Sequence, residues 1–479
     1  MNANLTVLAP ELILAGAGML ILLAGVAGKA SQRLAFALVN LGLVAAAAGV
    51  IAVGERDDGP FFAGMIQLDR FALYFRLLFV AAALLVCWLS RPFLVRAGRN
   101  PWEYYALVVF ATLGMAFLAS GVNLAGLYVA LELMALSSYI LAGYYRGEVK
   151  SHEAATKYFV LGALSSGVLV YGLSLLYGAF GTLSLADLSQ RLAQGPRSVA
   201  ATAGIFLLLS GMLFKVAAVP FHVWTPDVYE GAPTPIAAFF SVGPKAAAFA
   251  MLLRVLWAGL APASPDWRVF VSWVAAATMV WGNVAALTQE NVKRMLAYSS
   301  IAHAGYALLG VVAGGPLGTQ AVLFYMLAYT VTNLGAFGLV VLLASKEYAG
   351  EKVADFRGLA RRQPLAAFAM LLFLLSLGGI PPTAGFMGKL YLFAAAVHAG
   401  YAWLAVVGVI MSAVSLYYYF RIVREMYLSG GEGGDGLPIL AEAWGVRALV
   451  VCAVATLLFG VYPTSTLDFL APAANIWPW

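Results

Sequence analysis

The chain is poor in charge, in cysteine and in histidine. Asp, Glu, Lys and Arg make up 10% of its 479 residues, against 63% hydrophobic ones. Soluble domains are roughly one-quarter charged, so a water-soluble globular protein is excluded and a polytopic membrane protein remains. The two cysteines, Cys87 and Cys452, sit in separate apolar runs and read as buried free thiols, with no CxxC pair. Only four histidines are present, and His152 and His398 fall near the ends of apolar runs. A haem-carrying membrane oxidoreductase needs histidines on facing helices at matched depths, which this set does not supply. There is no P-loop and no dinucleotide fingerprint after a strand, so neither a nucleotide nor an iron–sulfur cluster is expected in this chain. The glycine-rich SGGEGGDG, Ser429 to Gly436, lacks strand–helix context and reads as a flexible connection. The net charge of +6 carries no nucleic-acid signal; its placement is what matters.

What the sequence has in abundance is long apolar runs. They recur about every 30 residues, and each is long enough to cross a ~30 Å hydrocarbon core at ~1.5 Å per residue. About fourteen crossings are expected, centred near residues 19, 44, 80, 110, 132, 166, 207, 246, 278, 303, 331, 381, 412 and 454. The first has no Lys or Arg before it and leads straight into the next, so it reads as a retained helix rather than a cleaved signal. The predicted fold is an all-α polytopic membrane protein with no separate soluble domain.

Positive residues concentrate in the odd-numbered connections, which hold Lys29, Arg33, Arg91, Arg96, Arg99, Arg146, Lys150, Lys293, Arg294, Lys346, Lys352, Arg357, Arg361, Arg362, Arg421 and Arg424. The even ones hold little beyond Arg56, Arg70, Arg191, Arg197 and Arg268. The positive-inside rule then places the odd loops in the cytoplasm and both termini outside.

Two segments repeat. ALSSYILAGY (Ala135 to Tyr144) and AYSSIAHAGY (Ala297 to Tyr306) share Ala, Ser-Ser and Ala-Gly-Tyr at a constant offset. They belong to the fifth and tenth crossings; five is odd, so the two units would run through the membrane in opposite senses, as in transporters built from inverted repeats. Two interruptions follow the same spacing. The seventh crossing has Lys215 five residues before Pro220, then Pro226, Pro233 and Pro235; the twelfth reads GGIPPTAGFMGKLYLF, Gly378 to Phe393. Gly-Gly and Pro-Pro inside an apolar run free backbone groups that must be satisfied at membrane depth. The division expected is an N-terminal three-helix region over 1–100, a first five-helix repeat over 101–260, a second over 261–430, and a last helix in 431–479.

Four charges lie well inside crossings: Glu132, Lys215, Lys245 and Lys389. Each isolated charge costs roughly 2.5–3.5 kcal/mol at a helix centre, so the four are expected to be paired or hydrated. Lys157 and Arg254 lie near run ends, where snorkelling serves. Burial disfavours the ammonium form of a lysine and a nearby carboxylate restores it, so a Glu132–Lys215 pair that opens and closes would act as a proton switch passing towards Lys245. His222 and His303 could bridge intermediate steps.

The segments KVAAVPFHVWTPDVYEGAPTP (Lys215 to Pro235), VKRMLAYSSIAHAGY (Val292 to Tyr306) and GIPPTAGFMGKLYLF (Gly379 to Phe393) resemble the signature segments of the antiporter-like subunit N of bacterial NADH:quinone oxidoreductase, respiratory complex I, over nearly the whole chain. Lysine at 389, where subunit M carries glutamate, and the absence of a long lateral helix after the last crossing distinguish it from subunits M and L. The resemblance implies that Glu132 and Lys215 form the family's ion pair, that Lys245 is its central lysine and Lys389 its terminal one, and that Lys157 and His222 fall on its proton path. It implies a proton-translocating subunit without redox chemistry of its own. FMN, iron–sulfur clusters and quinone would be held by partner subunits, and the neighbours would be antiporter-like subunit M and small membrane subunits. Alternatives are a subunit of a multisubunit cation/proton antiporter, which Na⁺- or K⁺-dependent exchange without NADH would reveal, a related photosynthetic NDH complex, and a purely structural subunit, which leaves the buried charges unexplained.

Overall fold

The structure is a computed structural model that describes residues 2–27, 31–56, 59–98, 101–145, 147–343, 350–429 and 442–476. Lys29, Arg99, Arg146, Lys346, Trp479 and all but the first residue of the glycine-rich segment lie outside the described residues.

After the short α1 (Asn2–Val7), the crossings are α2 (Ala9–Val26), α3 (Gln32–Val53), α4 (Arg70–Ala97), α5 (Trp102–Ser120), α6 (Leu124–Ala142) and α7 (Val149–Phe180). A surface helix, α8 (Leu185–Ala193), precedes the first broken crossing, α9 (Val199–Lys215) with α10 (Thr225–Gly231). Then come α11 (Thr234–Leu253), α12 (Ser264–Ala286), α13 (Val292–Ala313) and α14 (Gly315–Leu342). A four-residue α15 (Leu359–Arg362) leads to the second broken crossing, α16 (Pro364–Gly378) with α17 (Ala384–His398), followed by α18 (Ala402–Tyr427), α19 (Ala443–Val461) and the terminal α20 (Pro463–Leu470). Among the described residues twelve helices are long and apolar enough to cross a membrane; with the two broken pairs they make the expected fourteen.

Every residue of α11 is buried, as is 94% of the apolar stretch of α13 and of α14, against about a third for α2, α3, α18 and α19. Three helices therefore form a protein-enclosed centre, and the rest present apolar flanks to lipid or neighbouring chains. The two units pack alike: α5 lies on α6 as α12 lies on α13, and α7 on α9 as α14 on α16 and α17. Both first contacts depend on a small residue. A Cβ on Gly114 of α5 would stand 2.7 Å from the backbone nitrogen of Met134 on α6, and one on Gly282 of α12 would stand 2.5 Å from that of Ala302 on α13. Backbones approach this closely only where glycine allows it.

Backbone hydrogen bonds sort the connections into two faces. On the even face Gln67 N–H donates to Ser120 O at 2.7 Å, Val122 N–H to Met65 O at 2.9 Å and Leu124 N–H to Leu183 O at 2.8 Å. Val7 packs there on Ile66 and Leu68, and Gln320 donates to Leu467 O at 2.8 Å, so Val7 and Leu467 share this face. The Arg70 guanidinium, 2.5 and 2.8 Å from Glu55, holds that carboxyl below its usual range. On the odd face Val292 N–H donates to Glu351 O at 2.6 Å and Gly358 N–H to Glu425 O at 3.0 Å.

Two buried charge sites were not expected. Arg76 of α4 and Glu11 of α2 form an ion pair, with both residues at most 2% exposed. Arg254 does not snorkel, as its place near a run end suggested: it is 2% exposed and donates to Asp69 at 2.7 and 2.8 Å and to Ala119 O at 2.9 Å. The helix runs on as a π-turn through Arg254–Gly259, which keeps the guanidinium inside the bundle. Cys87 and Cys452 are free and buried, as expected.

Candidate functional site

Each broken crossing leaves backbone groups without helical partners, and each satisfies them differently. At the first break Phe214 O accepts from the indole N–H of Trp224 at 3.1 Å, and Val219 N–H donates to Thr278 Oγ1 on α12 at 2.9 Å. At the second, Lys389 Nζ donates to Leu377 O at 2.8 Å, Gly378 O at 3.1 Å and Ser412 Oγ at 2.8 Å, while Gly385 N–H donates to Ser376 Oγ at 3.0 Å. The ammonium of Lys389 thus takes the place of the missing helical donors.

All three interior lysines are buried: Lys215 at 9% exposure, Lys245 and Lys389 at 3% each. Lys245 on α11 donates to Ser300 O at 2.7 Å and is hydrogen-bonded to Ser300 Oγ. Lys215 has the sparsest contacts, a hydrogen bond to Tyr139 Oη at 3.4 Å and the rings of Tyr139 and Phe214 at 5.9 and 5.8 Å. Among the described residues none of the three has a carboxylate in a salt bridge. Glu132 of α6 lies within electrostatic reach of Lys215, but its carboxylate accepts from Ser166 Oγ of α7 at 2.5 Å, and the residue is half-exposed on the flank of the bundle.

The second copy of the repeated segment bridges two of these lysines. Ser299, Ser300, His303 and Tyr306 recur along one side of α13 at helical spacing. Ser300 holds Lys245; Ser299 Oγ and Tyr419 Oη are 2.5 Å apart; His303 is 2.6 Å from Tyr325 Oη and 3.3 Å from Tyr419 Oη. The His303 and Tyr306 rings pack edge-on at 5.6 Å, and Lys389 lies 4.7 Å over the ring of Tyr306. Asn283 joins Tyr306 to Tyr418 at 3.1 and 3.0 Å. Lys245, His303 and Lys389 are therefore neighbours in one polar seam through the apolar centre.

Between Lys215 and that seam the polar atoms are sparser. Thr225 and Tyr229 lie one turn apart on α10, and Trp224 beside them packs on Phe214. Among the described residues the hydroxyls of Thr225, Tyr229 and Tyr329 and the side-chain oxygen of Asn333 are buried with no hydrogen-bond partner in place.

Lys157 and His222 fall elsewhere. Lys157 is ion-paired with Glu153 at 2.5 Å and Asp227 at 2.7 Å. Asp227 also holds Arg294 at 2.8 Å, and Glu230 holds Arg294 and Lys150 at 3.0 Å each. This cluster pins α10 to α7 and α13 on the odd face. His222 lies in the linker of the first break against Trp281 of α12, and among the described residues its buried Nδ1 has no hydrogen-bond partner. Sequence reasoning missed Tyr139, Ser166, Ser300, Tyr325, Ser412 and Tyr419, which are neutral and common in apolar runs. The Ser-Ser and Tyr of the repeated segment were the signal that pointed towards some of them.

Comparison with known proteins agrees with this architecture. Residues 121–415 match the family model described as NADH:quinone oxidoreductase/Mrp antiporter, TM. NADH-quinone oxidoreductase subunit N of Trichlorobacter lovleyi is 44% identical over 476 residues, covering 99% of this chain and 97% of that protein. A chain of respiratory complex I from Thermus thermophilus, solved with bound aureothin, superposes with a TM-score of 0.81 at 36% identity over 96% of this chain and 98% of its own. A chain of the Mrp complex from Dietzia sp. gives a TM-score of 0.83 at 24% identity over 99% of this chain and 97% of its own, a likeness of fold. The chain belongs to the NADH-quinone oxidoreductase subunit N family, within the wider NADH:quinone oxidoreductase/Mrp antiporter family of membrane proteins.

Proposed function

We propose that this chain is a proton-translocating membrane subunit of a bacterial NADH:quinone oxidoreductase, with Glu132, Lys215, Lys245 and Lys389 carrying the translocation. The observation that supports this most is the set of three buried lysines that have no carboxylate partner among the described residues, two of them linked through His303 and its tyrosines. Such a set is costly as structure alone. Quinone reduction elsewhere in the complex would bias the approach of Glu132 to Lys215. Closing that pair favours the ammonium form and opening it releases a proton towards Lys245, with water satisfying the unpartnered hydroxyls of Thr225, Tyr229 and Tyr329 along the way. The seam around His303 would pass it on to Lys389. Lys157 and His222 would serve the odd-face approach to Lys215.

In this reading residues 101–260 and 261–430 form two inverted half-channels behind the N-terminal region 1–100, and 431–479 supplies the last crossing. The odd face is cytoplasmic, the termini lie outside the inner membrane, and FMN, iron–sulfur clusters and quinone are held by partner subunits beyond subunit M and the small membrane subunits. The test compares membrane vesicles carrying wild type or Lys215→Ala for NADH:quinone electron transfer and for the proton gradient formed per electron. A sharply reduced gradient in an assembled complex is expected. An unchanged ratio refutes the assignment, and Na⁺- or K⁺-dependent proton exchange without NADH would favour the antiporter reading instead.

A further inference from the structure

On the odd face the start of α3, the end of α4 and the start of α5 line a cavity of about 590 Å³. Its walls include Ser31 and Arg33 from the start of α3, Arg91, Leu94 and Val95 from the end of α4, and Tyr105 from the first turns of α5. Pro101, the residue before α5, also lines it, so the amino-terminal ends of two helices of 22 and 19 residues meet at one opening. Each brings the positive end of its dipole and first-turn N–H groups that face away from the helix body.

Two guanidinium groups add full charges. Arg91 is held in place by its stacking over Phe36, 4.6 Å from the ring centroid, and by Glu442, whose Oε1 lies 3.3 Å from its Nε. Glu442 is itself engaged through Oε2 with the N–H groups of Trp444 and Gly445 at 2.9 and 3.1 Å, so it offsets Arg91 only in part. Arg33 is exposed, and among the described residues no carboxylate pairs with it. The fourth wall is apolar: Leu94 is buried while Val95 is 55% exposed.

A cationic cup beside the exposed side chain of Val95, at the polar end of membrane helices, suits a phosphate ester bearing a hydrocarbon tail. We propose that this cavity binds the headgroup of an anionic membrane phospholipid, with the phosphodiester between Arg33 and Arg91 and an acyl chain along Val95. The inference concerns a region apart from the lysine seam and stands whether or not that seam carries protons.

The test uses the intact complex in native-like membranes with a photoactivatable phosphatidylglycerol, scoring labelled peptides that contain residues 31–33 or 91–95. Wild type is expected to be labelled, with a phosphatidylcholine analogue of the same chain length labelling weakly. Arg33→Gln should lower the phosphatidylglycerol signal about five-fold, the factor that corresponds to ~1 kcal/mol per basic residue near a charged surface. Arg91→Gln should lower it further; should that variant fail to assemble, Arg33, exposed and outside the packing, still decides. Equal labelling by the two lipids, or labelling unchanged in Arg33→Gln, overturns the proposal. Loss of labelling on adding inorganic phosphate also overturns it, by assigning the cup to the free anion.

Discussion

Between α9 and α10 the freed carbonyl of Phe214 is taken by Trp224 and the freed amide of Val219 by Thr278, whereas between α16 and α17 the carbonyls of Leu377 and Gly378 are taken by the ammonium of Lys389. Both breaks follow from the same chemistry, proline and glycine in an apolar run, and both must satisfy the groups they free. They differ in who does it. At the second break a titratable side chain is part of the backbone structure, so its charge and the geometry of the break change together. At the first break neutral groups hold the backbone, and Lys215 is left with one long hydrogen bond to Tyr139. A lysine relieved of structural duty can exchange partners without disturbing the helix ends.

That contrast is tested first by Lys389→Met. It removes the ammonium that bonds to the second break, leaves Leu377 O without that donor and leaves Gly378 O to Ser412. Roughly 3 kcal/mol or more of stability should be lost, seen as less chain in the membrane and a lower unfolding temperature of the purified complex. Gly385→Ala sharpens the same side. Its Cβ would fall 1.9 Å from Ser376 O, so α17 must shift away from α16 at a cost of about 2 kcal/mol, read in the same assay.

On the other side, Thr278→Val keeps the shape of α12 but withdraws the acceptor of Val219 N–H. A loss of about 1–2 kcal/mol is expected from one buried donor left unmade, with the proton gradient per electron preserved in the complexes that assemble. Lys215→Met should have the smallest structural effect, within about 1 kcal/mol of wild type, because the break does not lean on it. A collapse of assembly in Lys215→Met comparable to that of Lys389→Met would erase the distinction between the two breaks.

Much of this architecture was legible in the residues. Run length and spacing locate crossings because a bilayer demands ~20 apolar residues from each helix; all fourteen expected centres fall within a helix or at a break. The breaks were legible in Pro220 and in Gly-Gly-Ile-Pro-Pro, and the paired units in two ten-residue segments that share Ala, Ser-Ser and Ala-Gly-Tyr. What lay beyond reach depends on how helices are rotated against one another. The Glu11–Arg76 pair joins a residue in the first turn of α2 to one in the second turn of α4, where a charge reads as interfacial until the partner is known. Arg254 was misread for the same reason. Glu132 and Lys215 stood out by their apolar neighbours in the sequence, but nothing in the sequence indicates that Ser166 holds the carboxylate in this arrangement, or that Tyr139 stands beside the lysine. Hydropathy is blind to hydroxyls such as those of Ser300, Tyr325 and Tyr419, which cost little in a helix and declare themselves only when two crossings meet.

The central claim is that Lys215 and Glu132 act as one switch while neither supports the backbone. A double-mutant cycle on the proton gradient formed per electron tests it most directly, using Glu132→Gln, Lys215→Met and the two combined, each in fully assembled complex. Residues that work as a unit are non-additive: each single variant should lose most of this chain's contribution, and the double variant should lose no more. Losses that simply add, or a Lys215→Met complex that pumps as wild type does, would contradict the switch.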